Sequence, residues 1–278
     1  MIERILIAVK TYPTLSSKYA ELVCTAGVNE SGEWRRIYPV CFRQLQDGSQ
    51  YQKYQWVEAD IEKSTTDGRP ESYKIKNPDS LKLIGGPIPT ADKWLARKEA
   101  FHNQVALETN IAELIEQAHG NLASLAHYKP QEMTDFVVEK TDREWNPKKL
   151  ELLEAQKQQF DLFKDEATIE EEFKVVKKLP YKFSYKFKDV SGKTPKLMIE
   201  DWEIGALYWN CLKNADGDEA VAVQKVREKY WDTFVQSGKY DLTLVLGTTL
   251  QHHNKRAPNP YVIISVVPTP YDAQTLLF

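Results

Sequence analysis

Apolar residues first fall into short, strand-like runs. ILIAV near the start is followed by ELVCTAGV, SGEWRRIYPV and YQWVEADIEKS, with the turn signals NESG and QDGS between them. In the last of these runs Val57, Ala59 and Ile61 alternate with Glu58, Asp60 and Glu62, as a half-buried strand requires. Several short strands in about ninety residues predict a small barrel over 1–90. IGGPIP (Ile84–Pro89) then breaks both helix and ladder and marks a boundary.

Beyond it the period changes. Trp94, Phe101, Val105, Leu114 and Ile115 form a helical stripe within a helical insert over 91–130, and Asn110 with Glu113 matches a capping box for a helix ending at Gly120. MTDFVVEKT reads as a lone strand. Asn146-Pro147 then offers an N-cap and first-turn proline to a helix carrying Leu150, Leu153, Phe160 and Phe163. After the acidic run DEATIEEE comes a β-like stretch ending in YKFSYKFK (Tyr181–Lys188). Two helices follow, one from Asp201 with Ile204, Leu207, Tyr208, Cys211 and Leu212, the other from Asp218 to Ser237 with Val223, Val226, Tyr230 and Phe234. YDLTLVLG and YVIISVV close the chain around the polar loop TTLQHHNKRAPNP. The fold class expected is α+β: an N-terminal OB-like small β-barrel, a helical insert, and over 131–278 a second β unit with helices, a second OB-like barrel being one form it could take. Its strands are placed near 133–140, 172–188, 240–247 and 261–267.

With 278 residues, 42% of them hydrophobic and 28% charged, the chain can build real cores. No apolar run approaches the roughly 20 residues of a membrane span, and the N-terminus shows no secretory pattern, so a soluble cytoplasmic protein without membrane association is expected. Cys24, Cys41 and Cys211 are odd in number and set among apolar residues, as reduced core thiols are. No CxxC pair or HExxH, and no phosphate-binding glycine motif, occurs; Asn214, Asp216 and Asp218 lack the glycine and final acid of a calcium loop, so neither metal nor cofactor is expected. A net charge of -3 means that any nucleic-acid role needs a local basic patch.

Candidates for such a patch follow from strand alternation. Trp34, Arg36 and Tyr38 share one face of their strand, where two rings and a guanidinium could stack on bases and meet phosphate, or pack as core with a paired arginine. In YKFSYKFK the rings alternate with Lys182, Ser184, Lys186 and Lys188; a row of lysines about 7 Å apart suits an extended phosphate chain, and also suits protection of a sheet edge. Arg69, with Glu71 and Ser72, offers a polar contact that an ordinary loop ion pair would explain equally well. His252, Lys255 and Arg256 lie in the last loop as phosphate contacts. His252 and His253 are expected to point apart. Against these stands a metal-dependent nuclease reading, with Asp161 (or Asp165), Glu172 and Lys174 as a carboxylate-and-lysine set, which ExK triplets mimic by chance.

Lys10, Cys24-Thr25-Ala26-Gly27, Gly32, Trp34 and Arg36, within the first 45 residues or so, resemble the opening of the dual-OB-fold proteins of prokaryotic conflict and anti-phage systems. The chain departs from that pattern at Thr25 and Arg35, where apolar residues belong, and at Tyr38-Pro39. The resemblance implies two OB-like barrels, nucleic-acid binding and a bacterial defence setting with partner proteins. The combined expectation is a module that binds single-stranded or distorted DNA or RNA in a multi-protein complex, with a protein-binding adaptor and the nuclease as alternatives.

Overall fold

The computed structural model describes residues 1–15, 21–40, 42, 45, 50–77, 80–148, 150–152, 155 and 176–271. Its N-terminal part is a closed barrel of β1 (Ile2–Lys10), β3 (Glu21–Asn29), β4 (Trp34–Val40), β5 (Trp56–Lys63) and β6 (Ser72–Ile75). β1 pairs antiparallel with both β3 and β5, β3 with β4 and β5 with β6, while β4 and β6 run parallel and close the ring. This is the five-stranded Greek-key order of an OB barrel, as expected. The short β2 (Thr14–Leu15) adds to β3 and β7 (Lys82–Ile84) to β5.

The ILIAV run is apolar throughout because both its faces are covered. Ile5 and Ile7 fill the barrel with Val57, Ala59 and Ile61, so the alternation expected in β5 holds. Leu6, Ala8 and Val9 pack outward with Phe101, Val245 and Ile264, a bulge after Ile7 turning Ala8 and Val9 to the same side. Gly27 is required where β1 passes β3: a Cβ there would stand 2.1 Å from the Leu6 carbonyl oxygen.

Residues 91–130 join the two halves. α1 (Ala91–Arg97), in which Asp92, Lys93 and Trp94 take left-handed backbone, leads into a π-helical turn (Lys98–His102) that packs Phe101 against the barrel. α2 (Ile111–His119) is capped as expected: Asn110 Oδ1 accepts from Ala112 N at 3.0 Å, and Asn110 Nδ2 donates to Glu113 Oε1 at 2.7 Å. It buries Ile111, Leu114 and Ile115 in the second unit. β8 (Leu107–Glu108) and β9 (Leu125–Tyr128) also join that unit, β9 pairing with β13 (Tyr240–Thr248).

The second unit holds a four-stranded sheet, β8-β9-β13-β14 (Tyr261–Pro270), and a three-stranded one, β10 (Glu132–Lys140), β11 (Tyr181–Lys188) and β12 (Lys196–Met198). A bridge between Ile199 and Ile263 links them. The 132–140 strand is therefore not alone, and the unit is two linked sheets rather than a second five-stranded barrel. α3 (Trp202–Asn214) starts on its expected cap, Asp201 Oδ1 accepting from Glu203 N at 3.2 Å. α4 (Glu219–Arg227) runs on as a π-helical stretch (Glu228–Gln236), so the helix expected from Asp218 to Ser237 changes pitch midway. α5 (Leu250–Asn254) lies in the last loop. Asn146 accepts from Lys148 N at 3.0 Å, as an N-cap does; Leu153, Phe160, Phe163 and the 172–175 end of the expected strand lie outside the described residues. No helix among the described residues is long and apolar enough to cross a membrane.

Candidate nucleic-acid interface

The strand-alternation rule brings Arg36 and Tyr38 to one pocket but leaves no open platform. Arg36 is 1% exposed. Its Nη1 donates to Ser124 Oγ at 2.7 Å and Nη2 to the Ser124 carbonyl at 3.1 Å, while Glu71 accepts from Ser124 N at 2.8 Å and Ser124 Oγ at 2.5 Å. Burial, then the nearby Arg69 charge, pulls the Arg36 pKa down, so the ion is held by geometry rather than by solvent. Trp34 is half-buried, edge-on to Phe101 at 5.8 Å. Arg69 is buried too, gripping Asp67 Oδ1 at 2.9 Å and donating to the Thr248 carbonyl. With Cys24, half-buried Tyr38 and Thr248, the two arginines line a pocket of about 270 Å³ between barrel and second unit. The exposed Trp34–Arg36–Tyr38 stack expected from sequence is corrected on this point. The β3–β4 face, which carries oligonucleotides in open OB barrels, here receives β13 and α5.

β11 keeps its expected two-sided character except at Ser184, which is buried within the lysine row. Phe183, Tyr185 and Phe187 are buried, Tyr185 OH donating to the Tyr230 carbonyl at 2.5 Å; Lys182, Lys186 and Lys188 are exposed. β11 is the central strand of its sheet, so the lysines are not guarding an edge. On the β10 side Lys182 faces Glu139, Lys186 faces Asp135 and Lys188 faces Glu132. On the β12 side Lys186 lies beside Lys196. Lys196 pairs with Glu139 at 2.9 Å and holds that carboxyl below its usual range. The outer face is thus a lysine column with an acidic column on one flank and further lysine on the other.

That second flank leads to the last loop. Lys193, Lys196 and exposed His252 border a groove of about 580 Å³ floored by Ile111, Ile115 and Tyr261. Thr249 caps α5, its Oγ1 accepting from His252 N at 3.2 Å, which sets His252 outward. His253 turns the other way, as expected: it is buried, with Nε2 2.9 Å from Asn121 Oδ1. Burial, then the Arg69 and Arg36 charges, lowers the His253 pKa, so it stands neutral as a packing group. Lys255 and Arg256 follow in the exposed loop, Arg256 in left-handed backbone at φ 48°.

Of the expected segments, the β11 row and His252 are linked only through Lys196, which pairs with Lys186 and borders the His252 groove, while Arg36, Tyr38 and Arg69 sit behind α5 in a separate pocket and Lys10 lies elsewhere, over the Phe42 and Trp202 rings. Lys193 and Lys196 were missed by sequence reading. Their signal was VSGKTPK, a turn that folds a second basic strand back on β11. Asp161, Glu172, Lys174 and Cys41 lie outside the described residues. Among those described, no three metal-ligating side chains converge.

Residues 1–103 match the family model of a domain of unknown function (DUF8758), and residues 108–278 match that of a second (DUF8757). The interval between them, 104–107, follows the π-helical turn that packs on the barrel and ends within β8. No curated protein matches the chain.

Proposed function

We propose that this chain, which belongs to the DUF8757 family, binds single-stranded or distorted nucleic acid across the β11–β12–α5 face of its second unit. The observation that carries the reading is the pairing of Lys186 with Lys196: it connects the exposed row Lys182–Lys186–Lys188 to the groove bordered by Lys193 and His252. Phosphates would follow the lysines, while the groove takes a base over its apolar floor. Lys255 and Arg256 would close over the strand from the loop. The likeness of the first 45 residues to dual-OB-fold proteins of conflict systems supports the same reading and a defence setting.

The acidic column of β10 favours one second reading. A surface with Glu132, Asp135 and Glu139 beside lysines complements a partner protein that itself carries both charges, as an adaptor would.

Fluorescence anisotropy with labelled U20 and dT20 separates the two. About five phosphate contacts give a salt slope near -3.5, hence on the order of 100-fold weaker binding at 200 mM than at 50 mM salt. Lys182→Glu with Lys186→Glu should weaken both oligonucleotides alike. Absence of salt-sensitive binding at about 50 mM, where phosphate contacts are strongest, rejects the nucleic-acid reading and leaves the adaptor.

A further inference from the structure

The junction of the two units holds a second cationic site, away from the lysine face. Two cavities of about 440 and 250 Å³ lie side by side, with Lys53, Tyr54, Arg97 and Glu203 lining both, so that Arg97 faces each of them. The larger is lined by Tyr54, Trp94, Tyr230, Phe234 and Tyr240. The smaller adds Lys10 and Trp202.

Charge is unbalanced here. Lys53 is satisfied, at 2.9 Å from Asp201 and 3.2 Å from Glu203. Lys10 and Arg97 form no ion pair among the described residues. Lys10 Nζ sits 4.2 Å from the Phe42 centroid and 4.4 Å from that of Trp202. Arg97 spends its Nε on the Ile88 carbonyl at 2.8 Å and lies 4.3 Å over Tyr54 and 4.8 Å over Trp94, leaving its terminal nitrogens to the cleft. Half-buried cations resting on rings are only partly compensated for lost water; an entering anion supplies the rest.

The rings are set deliberately as well. Tyr54 and Trp94 meet edge to face at 5.8 Å, and both have left-handed backbone, φ 61° and 68°, Trp94 as the last of a left-handed run that begins at Asp92. Bulky aromatic residues rarely adopt it, and such outliers gather where a ligand is clamped. A ring-lined chamber beside a chamber with two unpaired cations is matched by a planar ring carrying an anionic group.

We infer that the cleft between the barrel and the second unit binds a nucleotide, its base among Tyr54, Trp94 and Tyr240 and its phosphate between Lys10 and Arg97. The same chemistry is offered by a free nucleoside monophosphate and by the 5′-phosphorylated end of a strand.

Isothermal titration calorimetry of the full chain with AMP, GMP, CMP and UMP tests this, with adenosine and inorganic phosphate as half-ligands. At least one nucleotide should bind, each half-ligand falling about tenfold or more below it, and Lys10→Gln or Arg97→Gln should each cost about tenfold. Both side chains lie at the cleft surface, and circular dichroism confirms that each variant is folded; with two variants the test survives the loss of either. A 5′-phosphorylated dinucleotide that binds more tightly than the mononucleotide identifies a strand end; equal affinity identifies a free nucleotide. No binding of any of the four nucleotides at about 1 mM, or binding unchanged in both variants, overturns the assignment.

Discussion

Lys53 Nζ lies 2.9 Å from Asp201 Oδ2, a contact between barrel and second unit in which the two side chains are 7% and 0% exposed. Burial opposes the Lys53 charge, but Asp201 and Glu203 outweigh it and its pKa is raised. Asp201 does three jobs at once: it also caps α3 and accepts from Val266 N at 3.0 Å, so it ties helix, strand and barrel together.

Removing Lys53 alone strands a buried carboxylate. Lys53→Met should cost about 3–5 kcal/mol in urea unfolding. Adding Asp201→Asn, which removes the charge and keeps one acceptor oxygen for either the Glu203 or the Val266 N–H, should cost less on the Lys53→Met background than on the wild type. Additive costs would show that the pair is not coupled.

Arg36 should behave as a packing residue. Arg36→Met leaves Glu71 and Ser124 without their charged partner and should lower stability by about 1.5–3 kcal/mol. Oligonucleotide affinity and its salt slope, measured well below the melting temperature, should stay as in the parent. A selective loss of oligonucleotide binding would return Arg36 to the interface.

Lys10 predicts two opposite pH trends. Burial lowers its pKa from 10.5 to about 8; Glu203 raises it, Lys53 lowers it and Asp201 raises it, and Arg97 is the remaining charge of that chamber. Between those values the unfolded chain keeps a proton that the folded chain has released, so folding gains stability as pH rises from about 8 to 10.5. Unfolding midpoints of wild type relative to Lys10→Met should therefore rise over that window and be level below it. Nucleotide affinity should move the other way, falling above pH 8 as the ammonium is lost. A stability difference that does not vary with pH would place Lys10 in ordinary solvent.

Much of the fold was legible locally. The alternation of Val57, Ala59 and Ile61, the ring and lysine faces of β11, and the caps at Asn110 and Asp201 depend on neighbours within a few residues, where strand and helix periods are dictated by backbone geometry. The same rule said which face Arg36 shares with Tyr38. It could not say what that face meets, because Ser124 is 88 residues away. Lys53 and Asp201 are 148 apart, and no period links them.

For this protein, local chemistry along the chain settled the strands, the caps and the direction in which each side chain leaves its backbone. Packing of the barrel on the second unit settled which cations stay available: it closed Arg36 and Arg69 into internal bonds, left the β11 lysines open, and set Lys10 and Arg97 facing one ring-lined cleft. The physical reason is that a charge's value depends on its solvent and its partners, and both are assigned only when distant segments meet.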